Sequence, residues 1–264
     1  MPFPESDRVI YKINTLGKVI CQLRFPPILI IDAEIPYEFQ DRIRDAFPNY
    51  SEKREIRIEF PSDAKVKIPP DVLNQLAHST GSNNYEFSSE NGEWVINLTR
   101  TFISLSANNY RRWEEFVGKL VTPLDTLVDI YSPSHYSRVG LRYINIISRS
   151  ALGLDDVDWN ELLSPWILGV LGSKDIGSHV GDFESKYEIN LSDNKSIVRL
   201  ITQFVESIDS GELGYKIDSD FFNSSKTTID DAMETLNYFN SRGSRLIRWC
   251  ITDRLHEAME PEAL

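Results

Sequence analysis

The chain has 264 residues, of which 41% are hydrophobic and 26% are charged, and this balance supports a sizeable core without disulfides or metals. The formal net charge is −12, with −2 on residues 1–148 and −10 on residues 149–264. An acidic surface repels phosphate backbones, so contact with a nucleic acid or a nucleotide is expected only through residues 1–148. The simpler interpretation of the acidity is that it keeps the protein in solution.

The termini and the cysteines indicate a cellular compartment. The N-terminal sequence MPFPESDRVI has neither the basic nor the apolar region of a signal peptide, and no apolar run approaches the ~20 residues of a membrane span. The two cysteines, Cys21 and Cys250, lie in apolar runs and are predicted to be buried, reduced thiols. The sequence therefore predicts a cytoplasmic protein that does not enter a membrane.

Residues 1–148 predict strand, helix, several strands, helix and strand, in that order. The alternation in VICQLRF predicts a half-buried strand within residues 8–25, with Gln22 and Arg24 on its polar side. The other predicted elements are a helix in IPYEFQDRIRDAFPNY, a strand in REIRIEF, a helical turn in PPDVLNQLAHSTG, a hairpin at Asn91-Gly92, a bulge or second turn at Thr99-Arg100, a helix in RRWEEFVGKLVTPLDTLVDIY with a kink at Pro123, and a strand in SRVGLRYINII.

Residues 149–182 are rich in Gly, Ser and Asp and predict a partly helical connector. Residues 183–264 then predict three strands, in FESKYEINL, SIVRLITQFVES and GYKIDSDFF, followed by one long helix or a pair of helices broken near Gly243. We therefore expect an α+β protein with two antiparallel-sheet halves, residues 1–148 and 183–264, each covered by helices and joined by the connector.

No stretch of the chain spells a recognised catalytic motif, so the catalytic residues, if any, are unknown. The four histidines lack metal-ligand spacing. GSKDIGSH (172–179) has the outer spacing of a phosphate loop, but a serine follows its second glycine where a lysine is needed. The acidic clusters DDVD (155–158) and DSD (218–220) are more often capping or loop-solvating residues than metal ligands. We expect no metal and no cofactor.

The strand SRVGLRYINII carries the most informative charges. Strand parity places Arg138 and Arg142 on its polar side, two positions on either side of Gly140. Arginine forks suit phosphate or carboxylate, so these side chains could converge with others on one anion site. The alternative is ordinary cross-strand pairing with an acid, for which the candidates are Glu59, Glu86 and Glu93. The candidate ligand-binding or polar-network residues are Arg24, Arg100, Arg138, Arg142, Gln22 and Asn145.

Four stretches, TLGKVICQLRFPPIL, PYEFQDRIRDAFPNY, RVGLRYINII and ITDRLHEAM, resemble a sporadically distributed prokaryotic family of uncharacterised proteins of about this length. The shared elements are Q-x-R-F, FQ-x-x-IR and G-L-R-Y-I-N. The family's patchy occurrence implies accessory genes, which often serve in phage defence. The motifs include polar residues that packing alone does not need, and these form either one buried polar network or a ligand site: Gln22, Arg24, Gln40, Arg44, Arg142 and Asn145.

These observations predict a non-enzymatic binding or sensor subunit of an accessory system, with antiphage defence as one setting. It is expected to act through a protein partner or by self-association. The alternative is a nucleotide- or nucleic-acid-binding protein, or an enzyme, that uses the arginine-lined sheet face of residues 1–148.

Overall fold

The computed structural model describes residues 2–55 and 82–263, which form a nine-stranded antiparallel sheet, a separate two-stranded sheet and seven α-helices. The strands are β1 (Val9–Tyr11), β2 (Leu16–Arg24), β3 (Asn49–Glu55), β4 (Ser82–Ser88), β5 (Trp94–Thr99), β6 (Phe102–Ala107), β7 (Arg138–Ile147), β8 (Glu184–Asn190), β9 (Ser196–Glu206), β10 (Leu213–Asn223) and β11 (Pro261–Ala263). The helices are α1 (Ile30–Ala33), α2 (Tyr37–Ile43), α3 (Trp113–Tyr131), α4 (Trp159–Leu162), α5 (Pro165–Leu168), α6 (Asp231–Cys250) and α7 (Asp253–Ala258).

The large sheet has the strand order β3-β4-β5-β6-β2-β7-β10-β9-β8. The α+β class is as predicted, but the two halves do not form two sheets. Six adjacent strands come from residues 1–148 and three from residues 183–264, and the pairing of β7 with β10 joins them. Alternation along a strand shows which side is buried and not which strand lies beside it, so the sequence could not reveal this junction. The division into domains at residues 148 and 183 stays a prediction.

One face of the large sheet forms the core. Its side chains alternate along the strands as predicted, so Cys21, Leu141 and Phe221 are fully buried on three adjacent strands. Helix α3 packs against β6, and helix α6 packs against β7 and β10. The opposite face carries the polar side of the same strands, and apart from the buried Gly140 its residues on β7 are half-buried or exposed. The two faces therefore offer different kinds of surface, one apolar and helix-covered and one charged.

The predicted hairpins are confirmed. Gly92 has φ +70° in the turn between β4 and β5, a conformation that favours glycine. The second turn, between β5 and β6, is closed by Thr99, whose hydroxyl oxygen accepts from the backbone N–H groups of Thr101 and Phe102. Most of the predicted strand in REIRIEF and the helical turn predicted in residues 69–81 lie outside the described residues.

Helix α6 runs through Gly243 without a break, and a separate helix, α7, follows it after Thr252. A methyl group at Gly243 would lie 2.7 Å from Cε2 of Tyr143, so the glycine allows α6 to pack closely on β7. Cys21 and Cys250 are free and buried, as predicted. No helix within the described ranges is long and apolar enough to cross a membrane.

Candidate functional site

The side chain of Arg138 passes over Gly140 of its own strand and reaches an acid on the neighbouring strand β10. Its Nη2 lies 2.9 Å from both carboxylate oxygens of Asp220, and its Nη1 donates to Oε1 of Gln22 at 3.3 Å. The guanidinium also lies 5.0 Å from the centre of the Phe222 ring. A methyl group at Gly140 would lie 2.3 Å from Nη1 of Arg138, so this glycine opens the path that the arginine follows. Arg138 is therefore held by partners within the protein.

Arg142 makes a two-pronged contact with Asp218. Its Nε and Nη2 donate to the two carboxylate oxygens at 2.7 and 2.6 Å, and the Asp218 side chain is only 4% exposed. The hydrogen bonds that Arg142 donates to Asp218 raise the pKa of Arg142 above its ordinary value. Because the carboxylate is buried against it, Arg142 is committed to an internal partner.

The other predicted site residues lie in three places. Arg24 donates from Nε to Oε1 of Gln22 at 3.0 Å, so these two join the Arg138 cluster. Arg100 lies in the β5–β6 turn, 3.3 Å from a carboxylate oxygen of Asp32 in α1. Asn145 is 3% exposed on the core face, where its Oδ1 accepts from the Thr15 hydroxyl. The six residues therefore do not converge on one site.

The polar residues of the family-like motifs do not form one network either. Gln22, Arg24 and Arg142 lie on the charged face, whereas Asn145 lies in the core. Arg44 is exposed on the surface beside α2 and pairs with Asp41. The hypothesis of a single buried network is wrong, because the motifs lie on both faces of the sheet and on a helix.

Four residues that are direct neighbours on β7, β10, β9 and β8 form a charged ladder: Arg142, Asp220, Arg199 and Glu188. Their charges alternate in sign across the sheet. Arg199 donates to Oε1 of Glu188 from both Nε and Nη2, at 3.0 and 2.8 Å. Diagonal contacts from Arg138 to Asp220 and from Arg142 to Asp218 add to the ladder. Positive charge on this face is therefore matched by negative charge, which disfavours an external anion.

The acids that pair with the arginines are not the predicted ones. Glu86 binds Lys53 at 2.7 Å, and Glu93 accepts from Asn91 and Asn109. Glu59 lies outside the described residues. The partners come from the DSD cluster at 218–220, which β10 places beside β7. That cluster is thus occupied by arginines, and no group of three or more His, Cys, Asp or Glu side chains in residues 2–55 and 82–263 is arranged to hold a metal.

A cavity of about 120 Å³ lies on the core face, between helix α6, the sheet and the N-terminal segment. Leu16, Ile217 and Met259 are among its apolar walls, and the rings of Tyr110 and Tyr143 also line it. These two rings meet edge to face with their centres 6.2 Å apart. An apolar cavity of ~150 Å³ binds benzene, and this one is somewhat smaller, so it suits a ligand no larger than a single small ring.

A few polar groups face the cavity. The Tyr143 hydroxyl donates to Oδ1 of Asn240 at 3.0 Å, and Ser219 and Asn145 contribute to the lining from the sheet. Burial raises the pKa of Tyr110 and of Tyr143 well above the ordinary tyrosine value, so both phenols remain neutral. Apolar walls with a small number of hydrogen-bonding groups are typical of small-molecule sites.

The rim of the cavity is basic. Its charged lining residues, among those the structure describes, are four arginines and one aspartate: Arg8, Arg111, Arg112, Arg248 and Asp7. Arg8 lies 2.8 Å from Glu114, and Arg248 pairs with Asp253. Arg111 and Arg112 make no ion pair within 4.0 Å in the described part of the chain, although Arg111 lies near enough to Glu93, and Arg112 to Glu114, to help lower the pKa of that carboxyl. In a chain of net charge −12, this local excess of positive charge favours an acidic ligand.

Sequence reasoning missed this basic-rimmed cavity. The available signal was the doublet Arg111-Arg112 directly before the amphipathic helix in WEEFVGKLVTPL. Arg8 and Arg248 lie more than a hundred residues away on either side and reach the rim only through the packing of α6 and of the N-terminal segment. Comparisons with models of protein families, with curated proteins and with solved structures give no match.

Proposed function

We propose that the protein is a non-enzymatic binding or sensor subunit of an accessory system, with antiphage defence as one setting. It binds a small acidic molecule in the basic-rimmed cavity and acts in the cytoplasm through a protein partner or by self-association. The observation that carries the proposal is the meeting of four arginines, from three separate parts of the chain, around an apolar cavity.

The chemistry of the cavity defines the ligand class. The volume of about 120 Å³ fits one aromatic ring or a short aliphatic chain. The neutral Tyr143 hydroxyl and the Asn240 amide provide hydrogen bonds near the cavity walls. A carboxylate at the rim would meet Arg111 and Arg112, which both donate forked hydrogen bonds. We therefore expect an aromatic or aliphatic carboxylic acid of low mass.

The alternative, a nucleotide or nucleic acid on the arginine-lined sheet face, has less support. Arg138 and Arg142 each face a carboxylate across the sheet, and an incoming phosphate would have to displace it. Displacement from Asp218 would also leave a buried charge without its arginine, which is costly. Nucleotides and short oligonucleotides nevertheless belong in the ligand panel, because strong stabilisation by them would favour the alternative.

The test is a thermal-shift and calorimetric screen of the whole chain. The probes are benzoate, phenylacetate and butyrate, each beside its neutral amide. We expect the acids to bind more tightly than the amides and to raise the melting temperature. Arg112→Gln should weaken binding of the acids about tenfold and leave the amides unchanged, since it removes one exposed charge.

Two matched control variants distinguish binding in the cavity from effects of charge removal or of helix substitution elsewhere in the protein. Arg44→Gln removes an exposed arginine away from the cavity and should leave all binding unchanged. Ser244→Leu fills the cavity from helix α6 and should abolish binding of acids and amides alike, whereas Ser241→Leu alters the same helix outside the lining. The proposal fails if no acid binds the native chain at millimolar concentration, or if Ser244→Leu binds as well as the native chain does.

A further inference from the structure

Strand β8 is an edge of the nine-stranded sheet. Within residues 2–55 and 82–263, no strand pairs with its outer side. Hydrogen bonds at both ends fix its phase: the Phe204 N–H donates to the Phe183 carbonyl at 3.2 Å, and the Leu191 N–H donates to the Ser196 carbonyl at 2.8 Å. Odd-numbered residues of β8 therefore bond to β9. The N–H and C=O groups of the even-numbered residues point away from the sheet and are available to another strand.

The side chains of β8 are exposed on both faces. Glu184, Lys186 and Glu188 lie on the charged face, and Glu188 is the last member of the charged ladder. Tyr187 lies on the other face and is 38% exposed, a large value for an aromatic residue within a strand. Charges on an edge strand usually discourage pairing. Here their order matters, because a positive and a negative side chain stand two residues apart.

We infer that β8 pairs with β8 of a second copy of the chain, antiparallel and about a two-fold axis at Tyr187. In this register Lys186 lies opposite Glu188 of the second copy, and the symmetry makes the contact twice. Both residues have outward-pointing backbone groups, so they form hydrogen-bonded pairs. The Tyr187 rings of the two copies then meet as a close, non-hydrogen-bonded pair, a position that favours aromatic contacts. The inference rests on the self-association part of the proposed function.

Charge selects this register over its neighbours. A shift by two residues in one direction sets Lys186 opposite Lys186 and Glu184 opposite Glu188. The shift in the other direction sets Glu188 opposite Glu188. Like charges directly opposite each other destabilise a strand pair. In the inferred register, Lys186 of one copy instead adds a further positive charge to the ladder of the other, next to Glu188.

A second copy fits this edge better than an unrelated strand, because Lys186 and Glu188 of β8 are complementary in charge to Glu188 and Lys186 of another β8. A two-fold contact also closes on itself, so it produces a dimer and not a fibre. Pairing of β8 with the opposite edge strand, β3, would repeat without closure and produce longer assemblies. One strand buries less area than a standard interface, so we expect weak association, in the micromolar range.

The test uses sedimentation of the whole chain over concentrations of about 1 μM to 1 mM. Lys186→Glu and Glu188→Lys should each weaken the dimer about tenfold, because both symmetric contacts become repulsive. An equimolar mixture of the two variants should dimerise again, since in the mixed dimer both contacts between positions 186 and 188 join an acidic and a basic side chain. Melting temperature and circular dichroism establish that each variant is folded.

Amide hydrogen exchange gives a second readout. In the dimer, the N–H groups of Lys186 and Glu188 should exchange slowly, whereas those of Ser185 and Tyr187 are protected in monomer and dimer alike. A native chain that stays monomeric, association that the charge variants do not change, a mixture that stays monomeric, or assemblies larger than a dimer would each overturn the inference. Lys186→Glu should bind benzoate in the cavity normally, so failure of the dimer and failure of the proposed ligand site are separate results.

Discussion

Replacing Gly243 by alanine tests the close packing of helix α6 on the sheet. Alanine should stabilise the interior of a helix by about 1 kcal/mol relative to glycine. At this position, however, the new methyl group would lie 2.7 Å from Cε2 of Tyr143, well inside the ~3.5–4.0 Å of a favourable carbon contact. The ring is 7% exposed and is held by its hydrogen bond to Asn240, so it has little room to move.

Overpacking of this kind costs about 1–3 kcal/mol, which outweighs the gain in helix propensity. We expect Gly243→Ala to lower the free energy of unfolding by about 1 kcal/mol, a fall of about 2–4 °C in melting temperature for a chain of this size. The measurement is thermal unfolding by circular dichroism or calorimetry, with urea unfolding as a check on the free energy.

Gly118 in helix α3 is the matched control. It too lies inside a long helix, but a methyl group there would meet nothing within 4 Å. Gly118→Ala should therefore raise the melting temperature by about 2–4 °C, because only the helix propensity changes. Equal stabilisation by the two substitutions would refute the reasoning, since it would mean that Tyr143 does not restrict α6.

Two further predictions concern charges outside the cavity. Arg142→Ala should destabilise the fold by about 2–3 kcal/mol in urea unfolding, because it leaves the buried Asp218 carboxylate without its arginine. Arg199→Ala removes an exposed pair and should cost no more than about 0.5 kcal/mol, and equal costs would contradict the distinction. Hydrogen bonds from Ser150 and Ser148 lower the pKa of Glu212 to about 2. Its stabilising contribution is therefore complete above its ordinary pKa of 4.5 and is lost as the pH falls from there through 2; a carbon-13 titration that places its pKa near 4.5 would contradict this.

The sequence predicted individual elements better than their arrangement. Strand parity correctly separated Cys21 and Leu141 from Arg24 and Arg142, because the side-chain period of a strand is local. The turn at Gly92 was also local and was found. The pairing of β7 with β10 depends on contacts between residues 68 to 84 positions apart, which leave no periodic trace in one sequence. The expected two sheets were therefore wrong, although the three strands predicted in the C-terminal half match β8, β9 and β10. The short strand β11 was not predicted.

The candidate sites show the same difference between local features, which the sequence reveals, and contacts between distant residues, which it does not. The arginines of the sheet face were recognisable, since charges in an apolar strand stand out, but their partners at 218 and 220 were not. The cavity left almost no signal, because its rim is assembled from a loop, a helix start and a distant helix. Sequence patterns report residues that share one element. A site whose residues come from different elements can be recognised only when the fold is known.

Arg142 of the sheet face pairs with a buried carboxylate, whereas Arg8 and Arg248 of the cavity rim pair with exposed ones. This difference in burial favours the cavity as the candidate site. On the sheet face, Asp218 is 4% exposed and bonded on both oxygens, so releasing its arginine would leave a buried charge with only Lys216, 4.0 Å away, beside it. At the cavity rim, the acids that pair with Arg8 and Arg248 are 52% and 83% exposed, and such pairs are worth little. Their carboxylates can return to water at small cost when a ligand arrives. A carboxylate beside the apolar walls would meet the rim arginines in a lower effective dielectric than bulk water, where each interaction is stronger.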